Sequence, residues 1–170
     1  MRRMRAMAGA HQVRFVYTDL NEAVRNVVAL TRWELVQNGM HLNLELAELL
    51  PPVYADSIQI EQVLLNLIRN AIEAMRPMAD GPRRLTLRTM TSGNDRVCAE
   101  VCDTGIGLPE TEADQIFEPF FTAKPDGLGI GLSISRSIIE AHKGSLGARP
   151  NADRGATFSF TLPAQQPVGP

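Results

Sequence analysis

No apolar stretch in these 170 residues approaches the roughly 18 that a membrane-spanning helix needs, and the start MRRMRAMAGAHQ lacks the apolar core of a secretory leader. An excess of one charge is missing too. The 17 Lys and Arg stand against 19 Asp and Glu, a net charge of −2, so no broad field draws in nucleic acid or an anionic membrane, and any phosphate site must be local. Cysteine is scarce: Cys98 and Cys102 lie four apart in an alternating stretch, without the CxxC spacing or histidine partners of a zinc site. They are expected as reduced thiols filling a sheet face. Repeats and low-complexity segments are absent as well, which leaves a soluble, cytoplasmic chain of one domain, long enough to bury a core.

What is present alternates between helical and strand periods. Asp19 with Glu22 caps a helix carrying Leu20, Val24, Val27, Val28 and Leu35, which Asn38-Gly39 ends. Leu42, Leu44 and Leu46 alternate as a strand. After Pro51-Pro52, a cap at Asp56 or Ser57 opens a second helix, with Ile60, Val63, Leu64, Leu67, Ile68, Ala71, Ile72 and Met75 at helical spacing. RRLTLRTM and DRVCAEVCD read as an antiparallel strand pair. A short helix at 110–117, a loop through PFFTAKPDGLGIG, a helix at about 132–142 and a last hairpin around NADRG follow. The expected fold class is α+β: a two-layer α/β sandwich of about three helices on a mixed, mostly antiparallel sheet. Residues 19–163 form the domain, 1–18 a linker or N-terminal tail, and 164–170 a C-terminal tail.

Two glycine clusters, DTGIGLP at 103–109 and GLGIGLS at 127–133, fail the familiar nucleotide patterns. A P-loop needs Lys-Ser/Thr directly after its last glycine, whereas Gly131 precedes Leu132 and Ser133. A dinucleotide fingerprint needs one more residue between its second and third glycines, and a parallel βαβ context. Tight turns are one reading of such glycines. The other is that loop N–H groups and the first turn of the following helix point at an anion, helped by the helix dipole.

The second helix favours the anion. Asn66 and Asn70 stack four apart on a face away from the apolar stripe, shared by Gln59 and Glu73, and amide oxygens suit a Mg²⁺ that already carries phosphate oxygens. Asp103 ends a strand where a pocket can open. A carboxylate there accepts a hydrogen bond from the amino group of adenine but not from the oxygen that guanine presents, which predicts ATP over GTP.

Read together, the boxes QVLLNLIRNAIEAM, DTGIGLP, IFEPFFTAK, GLGIGLSIS and GATFSF, in that order over about residues 19–163, resemble the ATP-binding catalytic domain of sensor histidine kinases. These belong to the GHKL superfamily and share the Bergerat-type ATP-binding fold. The resemblance implies Mg²⁺ on Asn70 with help from Asn66, and the adenine amino group on Asp103 in a pocket shaped by Gly105 and Gly107. It implies phosphates cradled at Gly127, Gly129 and Gly131, with Leu128 and Leu132 in the same nucleotide-binding loop. Lys124 either reaches a phosphate oxygen or stays a solvated lid lysine, Thr157 resembles the family's adenine-side hydroxyl, and Phe120-Phe121 anchors the lid.

An amide at Asn66, where the superfamily's hydrolases carry a glutamate, cannot take a proton from water, so transfer to an imidazole is implied instead. His11, His41 and His142 lack the acceptor pattern. The implied partners are therefore the dimerisation and histidine-phosphotransfer domain of a parent protein, itself possibly membrane-anchored, and the receiver domain of a response regulator. No nucleic acid and no membrane contact from this fragment are expected. A nucleotide-binding regulatory module without phosphotransfer, or a serine kinase of the anti-sigma-factor type, are the alternatives.

Overall fold

The strongest pattern in the sequence becomes the central helix. The computed structural model describes residues 12–93, 95–121 and 129–165. Helix α2 runs Ser57–Met75, and its buried residues are the eight apolar positions of the stripe, from Ile60 to Met75. Asp56 caps it, with Oδ1 accepting the backbone N–H of Gln59 at 3.1 Å. Helix α1 spans Leu20–Gln37 behind the Asp19 cap, whose Oδ1 accepts the N–H of Asn21 at 2.8 Å. It stops at Asn38, followed by Gly39 in a left-handed conformation (φ 62°). Helix α3, Gly131–Ala141, packs against α2.

The strands, in chain order, are β1 Val16–Thr18, β2 His41–Leu46, β3 Val53–Ala55, β4 Arg84–Ser92, β5 Arg96–Asp103, β6 Ser145–Pro150 and β7 Ala156–Pro163. Five of them form one sheet in the order β2-β4-β5-β7-β6, with only β2 and β4 parallel. Val97, Ala99 and Val101 of β5, with Leu85, Leu87, Phe160 and Leu162, join the apolar face of α2 in the core. At roughly 1.5–3 kcal/mol for each fully buried large apolar side chain, this interface dominates the stability. The α+β sandwich expected from the sequence is the one observed.

The opposite sheet face carries ion pairs. Arg88 of β4 pairs with Glu45 of β2 and, at 3.7 Å, with Glu100 of β5, which also pairs with Arg149 of β6 at 3.1 Å. Cys98 and Cys102 share this outer face as free thiols. Burial pushes the Cys98 thiol up to about 11 and raises that of Cys102 as well.

Two elements differ from expectation. The helix expected at 110–117 is a pair of separate 3₁₀ turns, Glu110–Glu112 and Gln115–Phe117. Only Ile116 and Phe117 are buried there, so no apolar stripe sustains a longer helix. Upstream, β1 lies in the stretch assigned to a linker, yet pairs antiparallel with β3, Val16 opposite Ala55. After β7, Ala164 bridges Val53 and the N–H of Gln165 donates to the carbonyl of Pro52. No helix among the described residues is long and apolar enough to cross a membrane.

Candidate nucleotide site

Asp103 is the last residue of β5, and strand alternation turns its side chain to the helix side, in line with Val97, Ala99 and Val101. It is 2% exposed. Among the described residues both of its hydrogen bonds fall on one oxygen: Oδ1 accepts the N–H of Gly105 at 2.8 Å and that of Ala156 at 3.3 Å. Burial raises its pKa, and the two N–H bonds partly oppose that shift. Oδ2 is the oxygen left for an external donor.

Close backbone approach explains the glycines around it. A Cβ on Gly105 would lie 2.5 Å from the carbonyl oxygen of Ala74, and the N–H of Ile106 donates to that same oxygen at 3.0 Å, so the DTGIG loop is docked on the last turn of α2. Gly107 has φ 82° and faces the backbone of Gly155. Gly155, within GATFSF, packs directly against Asp103, a contact with no signal in the sequence. Its φ is 84°, and a Cβ there would fall 2.0 Å from the carbonyl oxygen of Asp103.

At the middle of α2, the amide of Asn66 meets α3. Nδ2 donates to Oγ of Ser135 at 3.0 Å, and a Cβ on Gly131 would come within 2.7 Å of Oδ1. Asn70, one turn further on, is half-buried. Gly129 has φ 66°, and a Cβ there would sit 2.7 Å from the backbone of Phe120 and Phe121. The N–H of Phe120 donates to the carbonyl of Gly129 at 2.9 Å. Phe121 packs against the core, whereas Phe120 is 78% exposed, so only one of the two phenylalanines is held by the core. The side chain of Leu132 also packs on the core, which leaves its backbone N–H in the first turn of α3 as the group that can face a ligand. Lys124, Gly127 and Leu128 lie outside the described residues.

Thr157 is not part of this assembly. It pairs with Cys102, and directly opposed residues share a face, so its hydroxyl lies on the outer side of the sheet and donates to Oδ1 of Asn151 at 2.6 Å. Strand parity gives the inward position to Ala156, which serves Asp103 through its backbone. A cavity of about 320 Å³ among Arg84, Thr86, Cys102 and Asn151 also lies on that outer side, behind Asp103. His142 has a structural place: it caps α3, is 4% exposed and stacks on Phe15 with ring centroids 4.6 Å apart. His41 begins β2, and His11 lies outside the described residues.

This geometry can be set beside known proteins. Residues 55–166 match the family described as "Histidine kinase-, DNA gyrase B-, and HSP90-like ATPase". The chain belongs to this family. Within the family it is similar to the sensor protein TdiS of Thauera aromatica, with 38% identity covering 96% of this chain and 30% of that protein. It is also similar to the sensor protein FixL of Bradyrhizobium diazoefficiens, with 53% identity covering 66% of this chain and 22% of that one. The chain thus spans under a third of the length of these relatives.

Among solved structures, the catalytic domain of histidine kinase ThkA superposes with a TM-score of 0.79 at 32% identity, over 90% of this chain and 99% of that one. Full-length ShkA in complex with AMPPNP gives 0.79 at 26% identity, over 95% of this chain and 34% of that one. ThkA in complex with the response regulator TrrA gives 0.76 at 31% identity, over 90% and 42%. The domain is a histidine-kinase-type ATP-binding catalytic domain.

Proposed function

We propose that this domain binds Mg·ATP and, docked on a histidine-bearing dimerisation domain of a longer parent protein, donates the γ-phosphoryl group to an imidazole nitrogen. From there the group passes to the receiver domain of a response regulator. The observation that carries the reading is the buried Asp103 carboxylate, held through one oxygen by two backbone N–H groups, with the other oxygen left to accept from the amino group of adenine.

The residues at the opposite end of the cleft fit a triphosphate and its metal. A Cβ at Gly129 would strike the backbone of Phe120 and Phe121, one at Gly131 would press on the amide of Asn66, and the N–H groups of the first turn of α3 are donors for phosphate oxygens. Asn70 and Asn66 offer neutral amide oxygens, which are hard ligands of the kind Mg²⁺ accepts beside phosphate and water. When bound, Mg²⁺ neutralises charge on the transferring group. Lys124 is assigned a point-charge contact to a phosphate oxygen. Neither asparagine can act as a base toward water, so hydrolysis is slow and the phosphoryl group is kept for a nucleophile that needs little activation.

Similarity to ShkA in complex with AMPPNP supports the nucleotide, and similarity to ThkA in complex with TrrA supports the regulator. Calorimetric titration with ATP and GTP, each with and without Mg²⁺, tests binding. ATP without a heat signature ends the reading. Incubation with γ-labelled ATP and the parent's histidine domain tests transfer: an acid-labile product supports a phosphohistidine, and an acid-stable one points to serine instead.

A further inference from the structure

Helix α3 holds the amide of Asn66 at two points one turn apart. Its Nδ2 donates to Oγ of Ser135 at 3.0 Å, and Ser135 is 3% exposed. A Cβ added to Gly131 would lie 2.7 Å from Oδ1 but 3.3 Å from Nδ2, so the carbonyl end faces the first residue of α3. Gly131 and Ser135 are four apart on one helix and therefore stack on the same face. The reverse orientation would aim an NH₂ group at a helix N-terminus, which presents only N–H donors and positive dipole charge. Serine takes the NH₂ end, glycine makes room for the carbonyl end, and the amide is left with a single orientation.

We propose that Ser135 is a positioning residue for the nucleotide chemistry: by holding Nδ2 of Asn66 it directs the Oδ1 lone pairs toward the first turn of α3, where the phosphates and their metal are to sit. This rests on the Mg·ATP reading given above. Without the hydroxyl, the amide turns about its last torsion and its oxygen is no longer presented to one place. The same contact joins α2, which carries the amides, to α3, which carries the phosphate-binding turn.

The experiment is calorimetric titration of AMPPNP into the wild-type chain, Ser135→Ala, Ser135→Thr, Asn66→Ala and the Asn66→Ala/Ser135→Ala double variant, each with and without Mg²⁺. In Ser135→Ala the gain in affinity that Mg²⁺ provides is expected to fall about three- to tenfold, the range for loss of one hydrogen bond, with affinity in the absence of Mg²⁺ kept within about twofold. Ser135→Thr, which keeps the oxygen, retains the wild-type gain. In the Asn66→Ala background the serine substitution adds nothing, because it acts through a side chain already removed.

Equal losses with and without Mg²⁺ would make Ser135 a packing residue and overturn the proposal, as would a further loss in the double variant. Wild type that fails to bind the nucleotide overturns the ATP reading and this role with it. Wild type that binds, with Ser135→Ala matching it under both conditions, overturns the role of Ser135 alone.

Discussion

Nε2 of His142 accepts the backbone N–H of Asp56 at 3.0 Å, a bond between residues 86 positions apart. His142 is the C-cap of α3 and Asp56 the N-cap of α2, so one imidazole ties the end of one helix to the start of the other. The other ring nitrogen, Nδ1, donates to the carbonyl of Ile138 at 2.7 Å, which fixes the tautomer. His142→Ala leaves a buried N–H without its partner and removes the ring under Phe15. The expected cost is about 2–3 kcal/mol, read as a lower urea midpoint at unchanged m. A midpoint within experimental scatter of wild type would contradict it.

Asp103 sets function against stability. Burial disfavours its ionised form, so its folded-state pKa lies above the ordinary 3.8. Between those two values the folded chain holds the extra proton, and stability is lost as pH rises through that window. At pH 7 the charged, desolvated carboxylate is a burden on the nucleotide-free fold. Asp103→Asn is therefore expected to melt higher than wild type at pH 7, with the difference closing below pH 3.8, where both side chains are neutral. The same variant is expected to lose ATP affinity by about tenfold or more, because its exchanged oxygen no longer offers a charged acceptor to the adenine amino group. Melting curves across pH, beside an ATP titration, check both halves.

Glycine positions separate by what surrounds them. Gly155→Ala places a methyl group 2.0 Å from the carbonyl oxygen of Asp103 at φ 84°, while Gly39→Ala, at φ 62°, meets nothing within 4 Å. The first is expected to cost about 2 kcal/mol or more and to displace the adenine carboxylate; the second only the left-handed strain of roughly 1 kcal/mol. Denaturant midpoints rank the two. The reverse order would show that the β6–β7 turn yields more easily than its contacts imply.

The outer-face thiols are predicted to be sluggish. With the Cys98 thiol pushed up from 9.0 to about 11, its thiolate fraction near neutral pH is about 100-fold below that of an ordinary cysteine. Alkylation followed by mass spectrometry is expected to label it slowly in the folded chain and rapidly in denaturant. Equal rates in the two states would refute the assigned burial.

Legibility from sequence followed the range of the signal. The stripe of α2 and the β4–β5 pair rest on periods internal to one or two elements, and both appear as read. Asp103 at the rim followed from counting along β5. Thr157 went to the wrong face because parity in β7 is set by its register with β5, which depends on the lengths of turns elsewhere. Gly155 and Ser135 were missed for the same reason: each matters through a partner more than 50 residues away, Asp103 for one and Asn66 for the other. Likewise, only its pairing with β3 identifies β1 as a strand.

The chain enters the fold at a mechanically consequential place. The N–H of Arg14 donates to Oδ2 of Asp56 at 2.6 Å, and Phe15 stacks on His142, so two adjacent residues grip the head of one helical rod and the tail of another. The opposite end of α3, at Gly131, is about 15 Å away at 1.5 Å per residue. Residues 14 and 15 thus clamp the two rods together at this one end, while Met75 of α2 and Gly131 of α3 lie at their far ends.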